Sequence, residues 1–153
     1  MRILMVCLGN ICRSPLAHGI LRDKVGQHGL DITVDSAGTS GYHVGSAPDS
    51  RMCQTAKDNN VNIDDLKARQ FEIQDFDRFD KIYVMDSSNY TNVNSLARND
   101  IDSSKIELLL NVNHKGKNLQ VPDPYYGGEQ GFNDVYKLVN DATEVIIENY
   151  KTQ

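Results

Sequence analysis

Residues 2–15 have the sequence RILMVCLGNICRSP and indicate the architecture of the whole chain. The run 2–6 is short, apolar and followed by turn residues, which is typical of a buried strand. Ser14 and Pro15 then supply an N-cap and a first-turn proline, two signals that begin a helix. This stretch therefore predicts a strand, a loop over residues 7–13 and a helix, in that order.

The rest of the chain repeats this alternation of strands and helices. Apolar runs and periodicity predict further strands at 32–34, 82–85 and 106–110, and helices at 14–25, 49–59, 89–97 and 133–150. Strands separated by helices are typical of a parallel sheet. We expect an α/β fold in one domain over residues 1–153: a three-layer, four-stranded parallel sheet with helices on both faces. Ligands of such sheets bind beyond the carboxyl ends of the strands, where the 7–13 loop, Ser36 and the turn at 85–86 would meet.

The composition excludes several classes of protein. Lys and Arg number 16 against 21 Asp and Glu, a formal charge of −5, which argues against nucleic-acid binding. No apolar run approaches the ~18 residues of a membrane span, and residues 1–8 are too short for a signal-peptide core. Three cysteines without CxxC spacing predict neither a disulfide framework nor a zinc site. We therefore expect a cytoplasmic protein without metal, cofactor, nucleic-acid or membrane partner, although leaderless secretion would leave no mark in the sequence.

The loop between the first strand and the first helix has the features of a phosphate-binding loop. Five residues separate Cys7 from Arg13, enough to wrap once around a tetrahedral oxyanion. Backbone N–H groups can point inward there, backed by the helix N-terminus, and Arg13 can add a bidentate fork. Gly9 and Asn10 tolerate the positive φ that such a curl requires. The predicted phosphate-binding residues are Leu8, Gly9, Asn10, Ile11, Cys12, Arg13 and Ser14.

Cys7 is the candidate nucleophile of this loop. A thiol near a helix N-terminus and an arginine is stabilised as the thiolate. Ser14 is placed to donate a hydrogen bond to the sulfur and so to help it leave in a second step. The alternative is that Cys7 and Cys12 are small buried apolar residues and Arg13 a surface residue. The combination of a strand, a Gly-Asn turn and a helix disfavours that alternative, and the loop matches neither a Walker A nor a GxGxxG motif.

The segment CLGNICRSP at residues 7–15 resembles the active-site loop of the low-molecular-weight protein tyrosine phosphatases. The similarity covers nearly the whole chain. Further segments that resemble the family are DSAGT at 35–39, ARQ at 68–70, MDSSN at 85–89 and DPY at 123–125. The resemblance implies a metal-free enzyme that acts on phosphotyrosine in proteins and releases inorganic phosphate.

The resemblance also implies a two-step mechanism. Cys7 attacks phosphorus while Asp123 protonates the tyrosyl oxygen, and Asp123 then activates the water that cleaves the phosphocysteine. Arg13 and the loop amides hold the equatorial oxygens. Without the resemblance, Asp123 would be an ordinary turn residue between two prolines.

Other residues receive supporting roles from the resemblance. Asn10 and Ser36 are expected to hydrogen-bond to each other and to keep the loop curled. The side chains expected to line the substrate pocket are Tyr42, His43, Tyr125 and Tyr126. The last two are also candidate targets of a tyrosine kinase, which would add charge beside the site.

Three positions carry separate expectations. Cys12 is close enough in sequence to form a reversible disulfide with Cys7 under oxidation, which we state as a hypothesis. His18 stands where many relatives have an acidic residue and is expected on the surface. Leu66 and Lys67 precede the ARQ segment at 68–70, where a histidine is frequent in the family, which puts one supporting interaction of the family in doubt.

Related activities remain as alternatives. Protein arginine phosphatases resemble this loop but typically have Thr at the position of Ile11, which has no hydroxyl to orient water. Arsenate reductases of the same fold need further cysteines after the third strand, and residues 80–95 contain none. A catalytically idle phosphopeptide-binding module would be expected to lose Cys7 or Asp123, and both are present. Phosphotyrosine hydrolysis is therefore favoured, with arginine phosphatase next.

Overall fold

The computed structural model describes residues 1–153, except for the side chain of Tyr126. Its elements are β1 (Arg2–Cys7), α1 (Arg13–His28), β2 (Thr33–Gly38), α2 (Ser50–Asp58), α3 (Asp75–Arg78), β3 (Lys81–Val84), α4 (Ser87–Asn94), α5 (Asp100–Ser104), β4 (Ile106–Leu108) and α6 (Gly128–Lys151). Short 3₁₀ turns cover Leu109–Asn111 and Pro124–Tyr126. The strands form one parallel sheet in the order β2-β1-β3-β4. The predicted four-stranded parallel α/β fold is confirmed.

Alternate side chains of β1 enter two different cores. Ile3 and Met5 face the cluster that contains residues of α1, α2 and α6. Leu4 and Val6 face the other cluster, where Phe76 of α3 packs. This alternation is the period of two that a strand buried on both faces requires. Helices therefore cover both faces of the sheet, as predicted.

The largest errors in the predicted boundaries are at β2 and α6. β2 continues to Gly38 rather than ending at Val34, because its polar residues pair with the whole length of β1 and Cys7 lies opposite Gly38. α6 begins at Gly128, five residues before the predicted start, with Gly128 in the left-handed region at φ 66°. Glycines and polar residues that indicate a turn in the sequence are thus part of regular structure here.

Other differences concern short elements. α3 and α5 were not predicted, because helices of four and five residues are too short to show periodicity. α4 begins at Ser87 because the Asp86 side chain accepts a hydrogen bond from the Asn89 amide in a capping box. β4 ends at Leu108 instead of residue 110. Among the helices of residues 1–153, none combines the length and the apolar character needed to cross a membrane.

Candidate active site

The loop that follows β1 is held against the end of β2. The amides of Thr39 and Ser40 donate to the carbonyls of Cys7 and Leu8, each at 2.9 Å, so the strand pairing continues past both strands. Gly38 allows this approach, because a Cβ there would lie 2.8 Å from the Leu8 carbonyl oxygen. The carboxyl end of the central strand and the N-terminus of α1 thus meet around one loop, as expected for a parallel sheet.

The Cys7 side chain lies beneath this loop. It is buried, and its Sγ is 3.1 Å from the Ser14 Oγ. The Ser14 hydroxyl has a single proton and also lies 3.4 Å from the Ala37 carbonyl oxygen. A Cys7 thiolate is the closer and more negative acceptor, so ionisation of the thiol directs the Ser14 proton to the sulfur.

Asn10 fixes the curl of the loop by a route that the sequence did not predict. It adopts the left-handed conformation with φ 56°, as expected, whereas Gly9 does not have a positive φ. Its Nδ2 donates to the Ser14 Oγ at 2.7 Å, and its Oδ1 accepts from the Arg69 amide at 3.0 Å. The Arg69 side chain is itself anchored by ion pairs with Asp35 and Asp75, each at 3.0 Å.

The prediction of a hydrogen bond between Asn10 and Ser36 was wrong. The Ser36 Oγ lies 2.9 Å from Nδ1 of His18 instead. His18 is buried rather than on the surface, because the first turns of α1 pack against the sheet without an outward face at this position. Burial lowers the pKa of His18 to about 4, so the ring is neutral near pH 7.

Arg13 is buried and held by two acceptors far along the chain. Its Nη1 donates to Oδ2 of Asp86 at 2.7 Å and to the Val121 carbonyl at 3.0 Å. Its Nη2 lies 3.9 Å from Oδ2 of Asp123. A guanidinium fixed in this way can present its remaining N–H groups to an oxyanion. Asp86 lies at the edge of the sheet where the sequence predicts it, but its contact with Arg13 was not predicted.

The segment that carries Asp123 is anchored on its upstream side. The buried Val121 donates its amide to the Met85 carbonyl at 2.8 Å, just beyond β3. Asp123 is partly exposed, and its Oδ1 accepts from the Tyr125 amide at 3.0 Å. The carboxylate therefore has a defined orientation at the mouth of a cleft rather than a buried structural role.

A single cleft collects most of the predicted site residues. Its lining consists of Cys7, Leu8, Gly9, Ile11, Cys12, Arg13, Ser40, Tyr42, His43, Asp123 and Tyr125. Asn10, Ser14 and Ser36 are buried and do not line the cleft. The predicted pocket residue Tyr126 lies outside the described side chains. In the part of the chain with described side chains, no group of three or more His, Cys, Asp or Glu residues is placed to hold a metal ion.

Cys12 shares the cleft with Cys7, and both are free thiols. Burial, reinforced by the negative charge of Asp49, raises the pKa of Cys12 to about 12. Cys12 is therefore protonated at neutral pH and is a poor nucleophile. A reversible disulfide between the two cysteines stays a prediction.

The model of the low molecular weight phosphotyrosine protein phosphatase family matches residues 2–153 of this chain. The chain belongs to this family. A phosphatase of this name from Schizosaccharomyces pombe is 39% identical over 151 residues, which cover 97% of this chain and 96% of the relative. The relatives are named as protein tyrosine phosphatases, and this chain is an enzyme of their class, a phosphoric monoester hydrolase.

Solved structures of similar phosphatases have the same fold. A protein tyrosine phosphatase from Entamoeba histolytica matches with a TM-score of 0.92 and 38% identity, over 99% of this chain and 97% of that one. An arginine phosphatase from Drosophila matches with a TM-score of 0.91 and 34% identity, over 99% and 98% of the two chains. Both substrate classes thus occur on this fold, so the choice between them depends on the residues of the cleft.

Proposed function

We propose that this phosphatase hydrolyses phosphotyrosine in proteins, with Cys7 as nucleophile, Arg13 as phosphate ligand and Asp123 as general acid and base. The observation that carries the proposal is the convergence of these three side chains in one cleft, with the Arg13 Nη2 3.9 Å from the Asp123 carboxylate. The amides between Cys7 and Arg13 and the N-terminus of α1 add positive potential where the phosphate would sit.

The reaction proceeds in two displacements at phosphorus. In the first, an electron pair of the Cys7 Sγ forms the S–P bond while the ester P–O bond breaks, and Asp123 gives its proton to the departing phenolate oxygen. In the second, water attacks phosphorus, Asp123 takes up a proton of that water, and the S–P bond breaks to return the thiolate and release inorganic phosphate. The Ser14 hydroxyl, 3.1 Å from the sulfur, stabilises the thiolate as it leaves.

The proposed partners are phosphotyrosine proteins in the cytoplasm. The free cysteines of this chain support that compartment, because thiols remain reduced there. Tyr42, His43 and Tyr125 line the cleft, and their rings supply apolar surface for a phosphotyrosine ring. Tyr125 is also partly exposed, which is consistent with modification by a tyrosine kinase.

A second candidate activity is hydrolysis of phosphoarginine, which the Drosophila structure brings into consideration. Ile11 disfavours it, since this apolar side chain lines the cleft and offers no hydroxyl to orient water at a phosphoramidate. An arsenate reductase is less well supported, because the free thiols among the described residues are Cys7, Cys12 and Cys53, with none after β3 to relay a disulfide.

The test is turnover of matched phosphotyrosine, phosphoserine and phosphoarginine peptides. We expect wild type to favour phosphotyrosine, Cys7→Ser to abolish turnover, and Asp123→Ala to slow it by roughly 10²–10⁴-fold. With p-nitrophenyl phosphate, whose leaving group depends less on a general acid, acid quenching should trap a phosphoenzyme in Asp123→Ala but not in Cys7→Ser. Preferred turnover of phosphoarginine would replace the proposed substrate, and residual turnover by Cys7→Ser would refute the nucleophile.

A further inference from the structure

The first turn of α2 contacts both loops that form the active site. The Asp49 amide donates to the Ile11 carbonyl at 2.7 Å, which joins the N-cap of α2 to the phosphate-binding loop. Two residues later, the Arg51 Nη1 donates to the Tyr125 carbonyl at 3.2 Å. One helical turn thus reaches the loop of the nucleophile through its backbone and the loop of the acid through an arginine side chain.

The Arg51 guanidinium is held on several sides. Its Cζ lies 5.1 Å from the centre of the Tyr125 ring and 4.8 Å from the centre of the Phe132 ring. Its Nη2 and Nε donate to the two carboxylate oxygens of Asp49, at 3.0 and 3.2 Å. A planar cation can stack on rings and donate in its own plane at the same time, which an ammonium group cannot do.

These contacts lie on the downstream side of Asp123. On the upstream side, Val121 is already bonded to the Met85 carbonyl at the end of β3. Arg51 donates a hydrogen bond to the backbone carbonyl two residues after Asp123. The loop is therefore held on both sides of Asp123 along the chain. A carboxyl group that must transfer a proton to one ester oxygen depends on its backbone being held on both sides.

We propose that Arg51 is a positioning residue that holds the 123–125 loop so that Asp123 faces the leaving oxygen. The proposal rests on the proposed role of Asp123 as general acid and names a further residue for that reaction. Arg51 is not among the residues that line the cleft, and it acts through the backbone of Tyr125. Loss of the Arg51 side chain should therefore slow proton transfer to the leaving group more than it weakens phosphate binding.

The test compares two aryl phosphates that differ in their need for protonation. Phenolate is a poorer leaving group than p-nitrophenolate and depends more on a general acid. We expect Arg51→Met to lower kcat/KM for phenyl phosphate by about 10-fold or more, the size of effect that small misplacements produce. The loss for p-nitrophenyl phosphate should be several-fold smaller, and inhibition by inorganic phosphate should be unchanged.

A matched control is available in Arg22. Its side chain is 42% exposed, against 46% for Arg51, and it also forms a two-pronged ion pair with an aspartate, Asp65, at 2.9 and 2.9 Å. Arg22→Met removes a comparable surface arginine away from the cleft and should keep wild-type selectivity between the two phosphates. If Arg51→Met fails to fold, Arg51→Lys retains the charge without the fork and should show the same direction of change.

A double-variant cycle separates positioning from a general structural effect. In an Asp123→Asn background the acid is already absent, so Arg51→Met should cause little further loss. Equal losses of kcat/KM for both phosphates in Arg51→Met would overturn the role of Arg51 but not that of Asp123. A full additional loss of kcat/KM in the Asp123→Asn background would do the same. Wild-type selectivity in Asp123→Asn itself would instead overturn the proposed acid, and the role of Arg51 with it.

Discussion

Gly38 provides the sharpest test of how the sheet shapes the phosphate-binding loop. An alanine Cβ at this position would lie 2.8 Å from the Leu8 carbonyl oxygen, 3.0 Å from the Gly9 carbonyl carbon and 3.1 Å from the Asn10 nitrogen. Ordinary van der Waals contacts of a Cβ begin at 3.4 Å, so the overlap reaches several tenths of an ångström. All three atoms belong to the backbone, which cannot move aside as a flexible side chain would.

The expected effect of Gly38→Ala follows from that overlap. Inserting a methyl group into a packed region typically costs about 1–3 kcal/mol of unfolding free energy. The loop can relieve the overlap only by a shift away from β2, which displaces the amides that would bind phosphate. A displacement approaching 1 Å at a catalytic centre can cost about 10²-fold in rate, so we expect kcat/KM to fall by about 10- to 100-fold.

The assay measures kcat/KM for p-nitrophenyl phosphate, the inhibition constant of inorganic phosphate and urea unfolding. Gly26→Ala is the matched control, because Gly26 lies inside α1 and an alanine Cβ there would meet no neighbouring atom within 4 Å. Alanine at that helical position should stabilise the protein by about 0.5–1 kcal/mol. Wild-type phosphate affinity and turnover in Gly38→Ala would refute the argument that β2 sets the position of the loop.

Three further predictions concern individual side chains. Asp86→Asn should lower kcat/KM by about 10-fold or more, since it weakens the 2.7 Å contact that orients Arg13; unchanged turnover would contradict this. Iodoacetamide at pH 7 should modify Cys7 well before Cys12, whose pKa is raised to about 12 by burial, and fragment-ion mass spectrometry would detect equal labelling if the prediction fails. His18 has a pKa lowered from 6.5 to about 4, so the folded state binds fewer protons and stability falls as the pH drops from about 6.5 to 4. His18→Gln should remove about 3 kcal/mol of that loss in unfolding free energy, measured by urea titration. Parallel plots of unfolding free energy against pH for the two proteins would disprove this.

Much of the fold could be predicted because periodicity is a local property. Each of the four strands contains a short apolar run, and the helical stripe of α6 is visible over most of its length. What could not be predicted was the extent of β2, whose polar residues Asp35 and Ser36 are indistinguishable from a loop until β1 is seen beside them. A strand end is set by its hydrogen-bond partner, which the local sequence does not contain.

The proposed phosphate-binding loop could be predicted from the sequence for the same reason. Cys7, Asn10, Arg13 and Ser14 lie within eight consecutive positions, so the curl of the backbone, the helix N-terminus and the contact between Ser14 and the Cys7 sulfur could be predicted from spacing. The hydrogen bond from Asn10 to Ser14 was not predicted. Asp123 was different, because a carboxylate between two prolines has no distinguishing local feature. Only the resemblance to a family singled it out as the proposed acid.

The contacts that hold the loop in place depend on the tertiary structure. Asp86 lies 73 positions from Arg13, and Arg51 lies 74 from Tyr125, and no local pattern relates such partners. His18 shows the same limit, since its imidazole replaces the expected partner of Ser36 only because α1 lies against β2. The sequence by itself determines which reactive side chains lie next to one another in the loop. The orientation of those side chains is determined by packing, because their distant partners come together only once the sheet has formed.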